Sequence, residues 1–558
     1  MTFEEQCTQA ASRFLQTAVL VDDRAEFQRI TDHAFEGGQD NILEDPSDLA
    51  ASGVTLKTAT AQKSADRLDA GAITTGFAVK GLICSVLKPT ATGTIQADVL
   101  RLAPRSDMIV LDWQMGDNGD IAMGIIHNVL EMDRRSGGRL RLFAIYTGIR
   151  DLTTVSVQIA TDLPYLTAGS NSFEYTNESN TAKVVILGKG IANDHEPGQG
   201  DRCAEEAGLA ARLISEFAKF SGGILRNATL ASMGHLRSNT HRLLARLNSA
   251  LDAPLITHFA LVNSAEDSTQ YVADLILQEI EAQVPLEQIV ARFAGPESVK
   301  LRIAQCYEEG RTAKIILDNK GNKVSELSEA VAKALVSDPA TVLKPLIPDF
   351  ATILDKKPED IAGQFGADSL AKRLYGILGE NFDEGVQRHE EFAIASGIRF
   401  ANGESYDFRN RSLPSVRLGT IIEADDGYYL CLTPVCDSVR LSGPTANFLF
   451  GRLVKDKSKF NLIVEDDGHR IRLLIDRKNV VLKTIELRAA PDKTVRVERK
   501  YADYVVPLAG DEGNYVRWVA EVKPMQAQRV VGSITSNLSR IGLDEFEWLR
   551  QLAENWSG

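Results

Sequence analysis

Two short apolar runs stop abruptly at acid. "TAVLVDDR" ends in Asp22 and Asp23, and "DMIVLDWQM" passes through four apolar residues to Asp112. Runs of this kind, without polar alternation, suit strands buried on both faces, as in parallel sheets covered by helices. The carboxyl ends of such strands line one edge of the sheet, and ligands sit outside that edge. Three carboxylates are therefore expected in one place. An acid at a strand end is by itself more often the cap of the next helix or the start of a turn, so the weight lies on the three together.

The rest of residues 1–225 supports a layered α/β architecture. Strands are expected at 17–21, 76–87, 108–111, 140–146 and 183–187, and helices at 25–35, 120–135, 151–160 and 204–220. Residues 37–71 break the rhythm and read as an insertion. With 558 residues the chain exceeds what one core serves, and further domains are expected. Residues 226–395 carry helical spacing, as in "YVADLILQEIEAQ", "VSELSEAVAKALV" and "SLAKRLYGILGENF", and read as a mostly helical domain. Residues 396–558 change to alternation with turn signals. "GTIIEADDGYYLCLTP" and "FNLIVEDDGHRIRLLID" each read as a hairpin, so a small antiparallel β domain is expected, closed by a helix near "EFEWLRQLAENW".

Charge and cysteine usage narrow the setting. A net charge of -14 opposes general binding of nucleic acid or anionic membrane. The six cysteines are scattered, and no uninterrupted apolar run has the length of a membrane span, so a soluble protein of the reducing cytoplasm is expected.

Carboxylates at neighbouring strand ends repel one another unless a hard cation such as Mg²⁺ binds them through oxygen. With the cation in place, Asp112 has the chemistry of a nucleophile toward phosphorus, forming an acyl phosphate. A hydroxyl and a cationic side chain are then needed for the phosphoryl oxygens. "LFAIYTG" ends its strand at Thr147 and "KVVILGKG" ends the next at Lys189, in the required order.

This set resembles the receiver domain of two-component response regulators over roughly the first 200 residues. The resemblance implies a flavodoxin-like fold in which Asp23 and Asp112 hold Mg²⁺ directly, Asp22 acts through water and the backbone carbonyl of Gln114 completes the metal site. It implies that Asp112 is the phosphoacceptor, served by Thr147 and Lys189, with a cognate histidine kinase as donor and an effector or second response regulator downstream. Two departures stand out. Asp22 and Asp112 lie 90 residues apart, and Gly190 follows Lys189 where the family usually has proline. The segment "YYLCLTPVCDSVRL", with the expanded receiver and the helical middle, is also similar to large receiver proteins of Detocs-type anti-phage systems, which implies a relay or buffer of a defence signal.

Other signals have plainer readings. Asp368-Ser369-Leu370 matches a carrier-protein serine, but Lys372 and Arg373 follow where a carrier helix is acidic, so Ser369 reads as a cap. Cys431 and Cys436 lack the further ligands that zinc needs. Residues 440–500 hold fifteen Lys and Arg against eight Asp and Glu, which leaves a DNA-binding regulator as one alternative. A pseudo-receiver scaffold without phosphate chemistry is the other. No catalytic motif follows residue 230, so a dedicated enzyme is not expected.

Overall fold

The computed structural model describes residues 1–27, 68–89, 95–116, 119–169, 171–262, 265–318, 322–362, 382–402, 413–456, 459–501, 503–510 and 513–538. The chain forms two compact units, one of Met1–Arg246 with Ile280–Gln305 and one of Leu247–Glu279 with Cys306–Gly558. Residues 226–395 are thus shared between the two. No helix among the described residues is long and apolar enough to cross a membrane.

In the first unit, helix α1 (Phe3–Phe14) starts at a capping box, in which the Thr2 hydroxyl accepts from the Glu5 amide and the Glu5 carboxylate accepts from the Thr2 amide. There follow β1 (Thr17–Val21), β2 (Ala25–Glu26), β3 (Leu68–Asp69), α2 (Ala70–Val79), β4 (Ile83–Leu87), α3 (Ile95–Leu102), β5 (Met108–Leu111) and α4 (Asp120–Arg135). The unit continues through β6 (Arg141–Thr147), α5 (Leu152–Asp162), β7 (Leu166–Ala168), β8 (Glu174–Asn177), β9 (Ala182–Lys189), β10 (Cys203–Ala204), α6 (Leu209–Ser221) and α7 (Ile224–Arg246).

The main sheet has the order β4-β1-β5-β6-β9-β8-β7. Its first five strands are parallel, and β8 and β7 add an antiparallel edge. Both faces are covered. Leu20, Val110, Ala144 and Val185 pack in the core that includes Phe3, Phe77 and Phe217 from α1, α2 and α6. Their neighbours Val21, Leu111, Ile145 and Ile186 pack with Val99, Ile126 and Val155 from α3, α4 and α5. This is why the central strands show no alternation: every position of β5 and β6 is buried beneath a helix layer.

Two expectations are corrected here. Residues 76–87 are not one strand, because α2 runs to Val79 before β4 begins at Ile83. The Asp69 carboxylate accepts from the Ala72 amide and starts the helix, and Gly76 lies so close to Ala207 that a Cβ there would stand 2.7 Å from its carbonyl oxygen. A short apolar run with Thr and Gly is compatible with either periodicity, and the packing decides. Nor does a helix begin at Ala25, since Ala25–Glu26 pair in parallel with Leu68–Asp69. The remainder of that expected helix, and nearly all of the expected insertion, lie outside the described residues. At 204–220 the helix starts only at Leu209, after Cys203–Ala204 has extended the sheet beside β9.

Helix α7 is held to the sheet by Arg237, whose guanidinium donates to both carboxylate oxygens of Asp107 at 3.1 Å and to the Phe14 carbonyl. Where α7 meets α1, a Cβ on Gly234 would stand 2.2 Å from the Arg13 carbonyl oxygen. Gly234→Ala is therefore expected to destabilise the first unit by about 1–3 kcal/mol through overpacking, read as a lower denaturant midpoint with unchanged slope.

The second unit carries a ten-stranded antiparallel sheet between Ile398–Ala401 and Tyr515–Val522, as the alternation in that region anticipates. Both expected hairpins form, Thr420–Ala424 with Gly427–Cys431 and Leu462–Asp466 with His469–Leu474. In the second, Asp467 and Gly468 both have positive φ, as a two-residue turn requires. Arg470 and Arg472 are not a free basic surface, because they pair with Glu391 and Glu390 on helix Phe382–Gly397. Cys431 is a buried strand thiol pushed up to about 12 by burial, while Cys436 is exposed. Helix Pro524–Leu538 follows the sheet. The expected helix near "EFEWLRQLAENW", and Ser369, lie outside the described residues.

Candidate functional site

The register of the parallel strands places the candidate residues at one edge. Val21 pairs with Leu111, so Asp22 and Asp112 leave their strands side by side. Leu111 pairs with Ile145, and Thr147 pairs with Gly188, which brings Thr147 and Lys189 to the same level on the next two strands. This is the carboxyl edge where the chain order reverses: β4 lies outside β1, and the chain crosses back to β5.

The side chains converge. One carboxylate oxygen from each of Asp22, Asp23 and Asp112 lies within 4.8 Å of the others, the geometry of a metal-binding group. Asp22 and Asp112 are buried and Asp23 is half-buried. Lys189 reaches back over the Tyr146 ring, its Nζ 5.7 Å from the ring centre, and donates to Asp22 Oδ2 at 2.6 Å and Asp112 Oδ1 at 3.0 Å. Tyr146 is itself fixed by its hydroxyl, which donates to the Ala204 carbonyl at 2.8 Å. The buried Thr147 hydroxyl accepts from the Ile149 amide at 3.2 Å and keeps its own hydrogen for another acceptor. Gln114 is exposed in the turn after Asp112.

The electrostatics are those of a site short of positive charge. Burial pushes the Asp112 carboxyl above the ordinary carboxylate range. Lys189 pulls it down, but Asp22 and Asp23 push it up again. Burial likewise lowers the Lys189 ammonium, yet Asp112 and Asp22 more than reverse this and hold it above its ordinary value. Three carboxylates against one ammonium leave a formal charge that one divalent cation cancels. Asp23 Oδ1 is buried without a hydrogen-bond partner, a polar atom in want of a cation or a donor. The donor set, all oxygen, fits a hard ion.

The capping explanation for these acids holds only in part. Asp22 Oδ1 accepts from the Arg24 amide at 2.7 Å and so does organise the turn, but its other oxygen faces Lys189. The other lysine of this strand, Lys183, is buried at the far end of β9 against Glu174 and Glu216. Sequence reasoning passed over His195, which lies in the glycine-rich loop after Lys189 and contacts the carbonyls of both Ile149 and Lys189. A single histidine in a loop carries no periodicity or spacing by which the sequence marks it.

Residues 14–194 match the family model of the response receiver domain, a span that lies wholly inside the first unit. No curated protein and no solved structure matches the chain.

Proposed function

We propose that the chain is a phospho-accepting response regulator in which Asp112 takes a phosphoryl group from a histidine kinase. The observation that carries this reading is the meeting of Asp22, Asp23 and Asp112 with Lys189 at the edge of a parallel sheet. Asp23, Asp112 and the Gln114 carbonyl would hold Mg²⁺, with Asp22 acting through water. Bound there, Mg²⁺ supplies charge neutralisation to the attacking carboxylate and the incoming phosphoryl group.

The chain's own residues do the rest. An Asp112 carboxylate oxygen attacks phosphorus, an O–P bond forms, and the P–N bond to the donor imidazole breaks, leaving an acyl phosphate. Lys189, already hydrogen-bonded to Asp112 and Asp22, pairs with one phosphoryl oxygen, and the Thr147 hydroxyl donates to another. Incubation with acetyl phosphate and Mg²⁺, followed by intact mass, tests the chemistry: one added phosphoryl group is expected, and its absence would leave the scaffold reading.

The likeness of "YYLCLTPVCDSVRL" to Detocs-type proteins supports a relay or buffer of an anti-phage signal in the cytoplasm. In cells that carry the cognate kinase, Asp112→Asn is expected to change phage plating efficiency; unchanged plating would remove the defence role and leave the phosphoacceptor chemistry untouched. DNA binding through residues 440–500 is disfavoured by the ion pairs that occupy Arg470 and Arg472.

A further inference from the structure

His195 is 4% exposed and sits between the loop after Thr147 and the strand end at Lys189. Its Nδ1 lies 3.0 Å from the Ile149 carbonyl oxygen, two residues beyond Thr147, and its Nε2 lies 2.9 Å from the carbonyl oxygen of Lys189 itself. Both partners are oxygens that only accept.

The surrounding residues are arranged to seat the ring. Gly188 leaves the space it fills, since a Cβ there would stand 2.5 Å from His195 Nε2. Gly190 turns the chain with a φ of +91°, and the loop folds back so that the Glu196 amide donates to the Arg150 carbonyl at 3.0 Å. Gln199 continues the same seam, accepting from the Leu152 amide and donating to the Asp151 carboxylate. The charged groups nearby are engaged elsewhere: Asp194 with the Ile191 amide, Glu196 with Arg150, and the Lys189 ammonium with Asp22 and Asp112.

We propose that His195 is a positioning residue that clamps the loop after Thr147 to the strand end at Lys189, fixing the spacing of the hydroxyl and the ammonium around a phosphoryl group on Asp112. The inference rests on the phospho-accepting reading above. The clamp touches none of the residues that would hold Mg²⁺, so it separates two quantities that general damage to the site would lower together.

The test uses the full chain with acetyl phosphate and Mg²⁺. His195→Ala is expected to label on the order of tenfold more slowly, because small misplacements of transition-state partners are costly. Its Mg²⁺ affinity, read from quenching of the buried Trp113 beside Asp112, is expected to stay at the native value. His195→Gln, which retains a donor, should recover part of the rate. Gly188→Ala displaces the ring without removing it and should slow labelling in the same way, which decides the matter if His195→Ala does not fold. Native labelling rates in His195→Ala or Gly188→Ala overturn the clamp, as does a fall in Mg²⁺ affinity that matches the fall in labelling. Failure of the native chain to label overturns the phospho-accepting reading instead, and the clamp with it.

Discussion

Asp112→Asn is expected to abolish phosphoryl uptake from acetyl phosphate, with labelling falling on the order of 10³-fold or more. The amide has no nucleophilic oxygen of comparable strength, and the change removes one of the three negative charges that call for a cation. The fold should survive, since Asp112 lies just beyond its strand and the Asp112 amide still donates to the Val21 carbonyl. A Mg²⁺-dependent rise in melting temperature should shrink with it: a ligand at a hundred times its dissociation constant stabilises by about 2.7 kcal/mol, and a crippled site forfeits most of that. Asp426→Asn provides the control. That acid is exposed on the second unit and pairs with Lys483, so both labelling and the Mg²⁺ response should match the native chain. Equal labelling of the native chain and Asp112→Asn would mean that the acids are structural.

Asp133→Ala is expected to cost the first unit about 3–5 kcal/mol, the largest stability effect foreseen for a single side chain. Arg141 is fully buried at the start of β6. Its Nε and one terminal nitrogen donate to the two oxygens of Asp133 at 2.7 and 2.9 Å, and the other terminal nitrogen donates to the carbonyls of Ala103 and Ser106. One guanidinium thus ties the end of α4 to the turn between α3 and β5. Removing the carboxylate strands a buried charge with two of its four hydrogen bonds lost, and that penalty exceeds the loss of any single bond. Replacing both partners, as in Asp133→Leu with Arg141→Met, should recover a large part of the loss. Urea melts followed by circular dichroism check this; a double variant no more stable than Asp133→Ala would show that the pair contributes more than relief of its own desolvation.

How much of this was legible depends on whether the signal was local. The strand ends at Asp22, Asp112, Thr147 and Lys189 could be read directly, because uninterrupted apolar runs bounded by polar residues mark strands buried on both faces. The two hairpins were legible for a similar reason, each carrying Asp and Gly between alternating runs. Helix α2 was not, because its apolar, Thr- and Gly-containing sequence satisfies either periodicity and its cap, Asp69, seemed to belong to an insertion. The basic residues of 440–500 looked like a surface in the sequence, and only folding showed Arg470 and Arg472 pairing with acids some eighty positions away.

The amino-acid sequence alone determined which chemical groups stand at the ends of which strands, since burial of both sheet faces leaves the strand tips as the places where polar side chains can emerge. Only the tertiary structure decided that these tips share one edge, because the order β4-β1-β5-β6-β9 follows from how helices cover the sheet and not from any local pattern. It also decided that Lys189 reaches across β6 to Asp22 and Asp112, and that His195 meets the Ile149 carbonyl, contacts between residues dozens of positions apart that no local periodicity encodes.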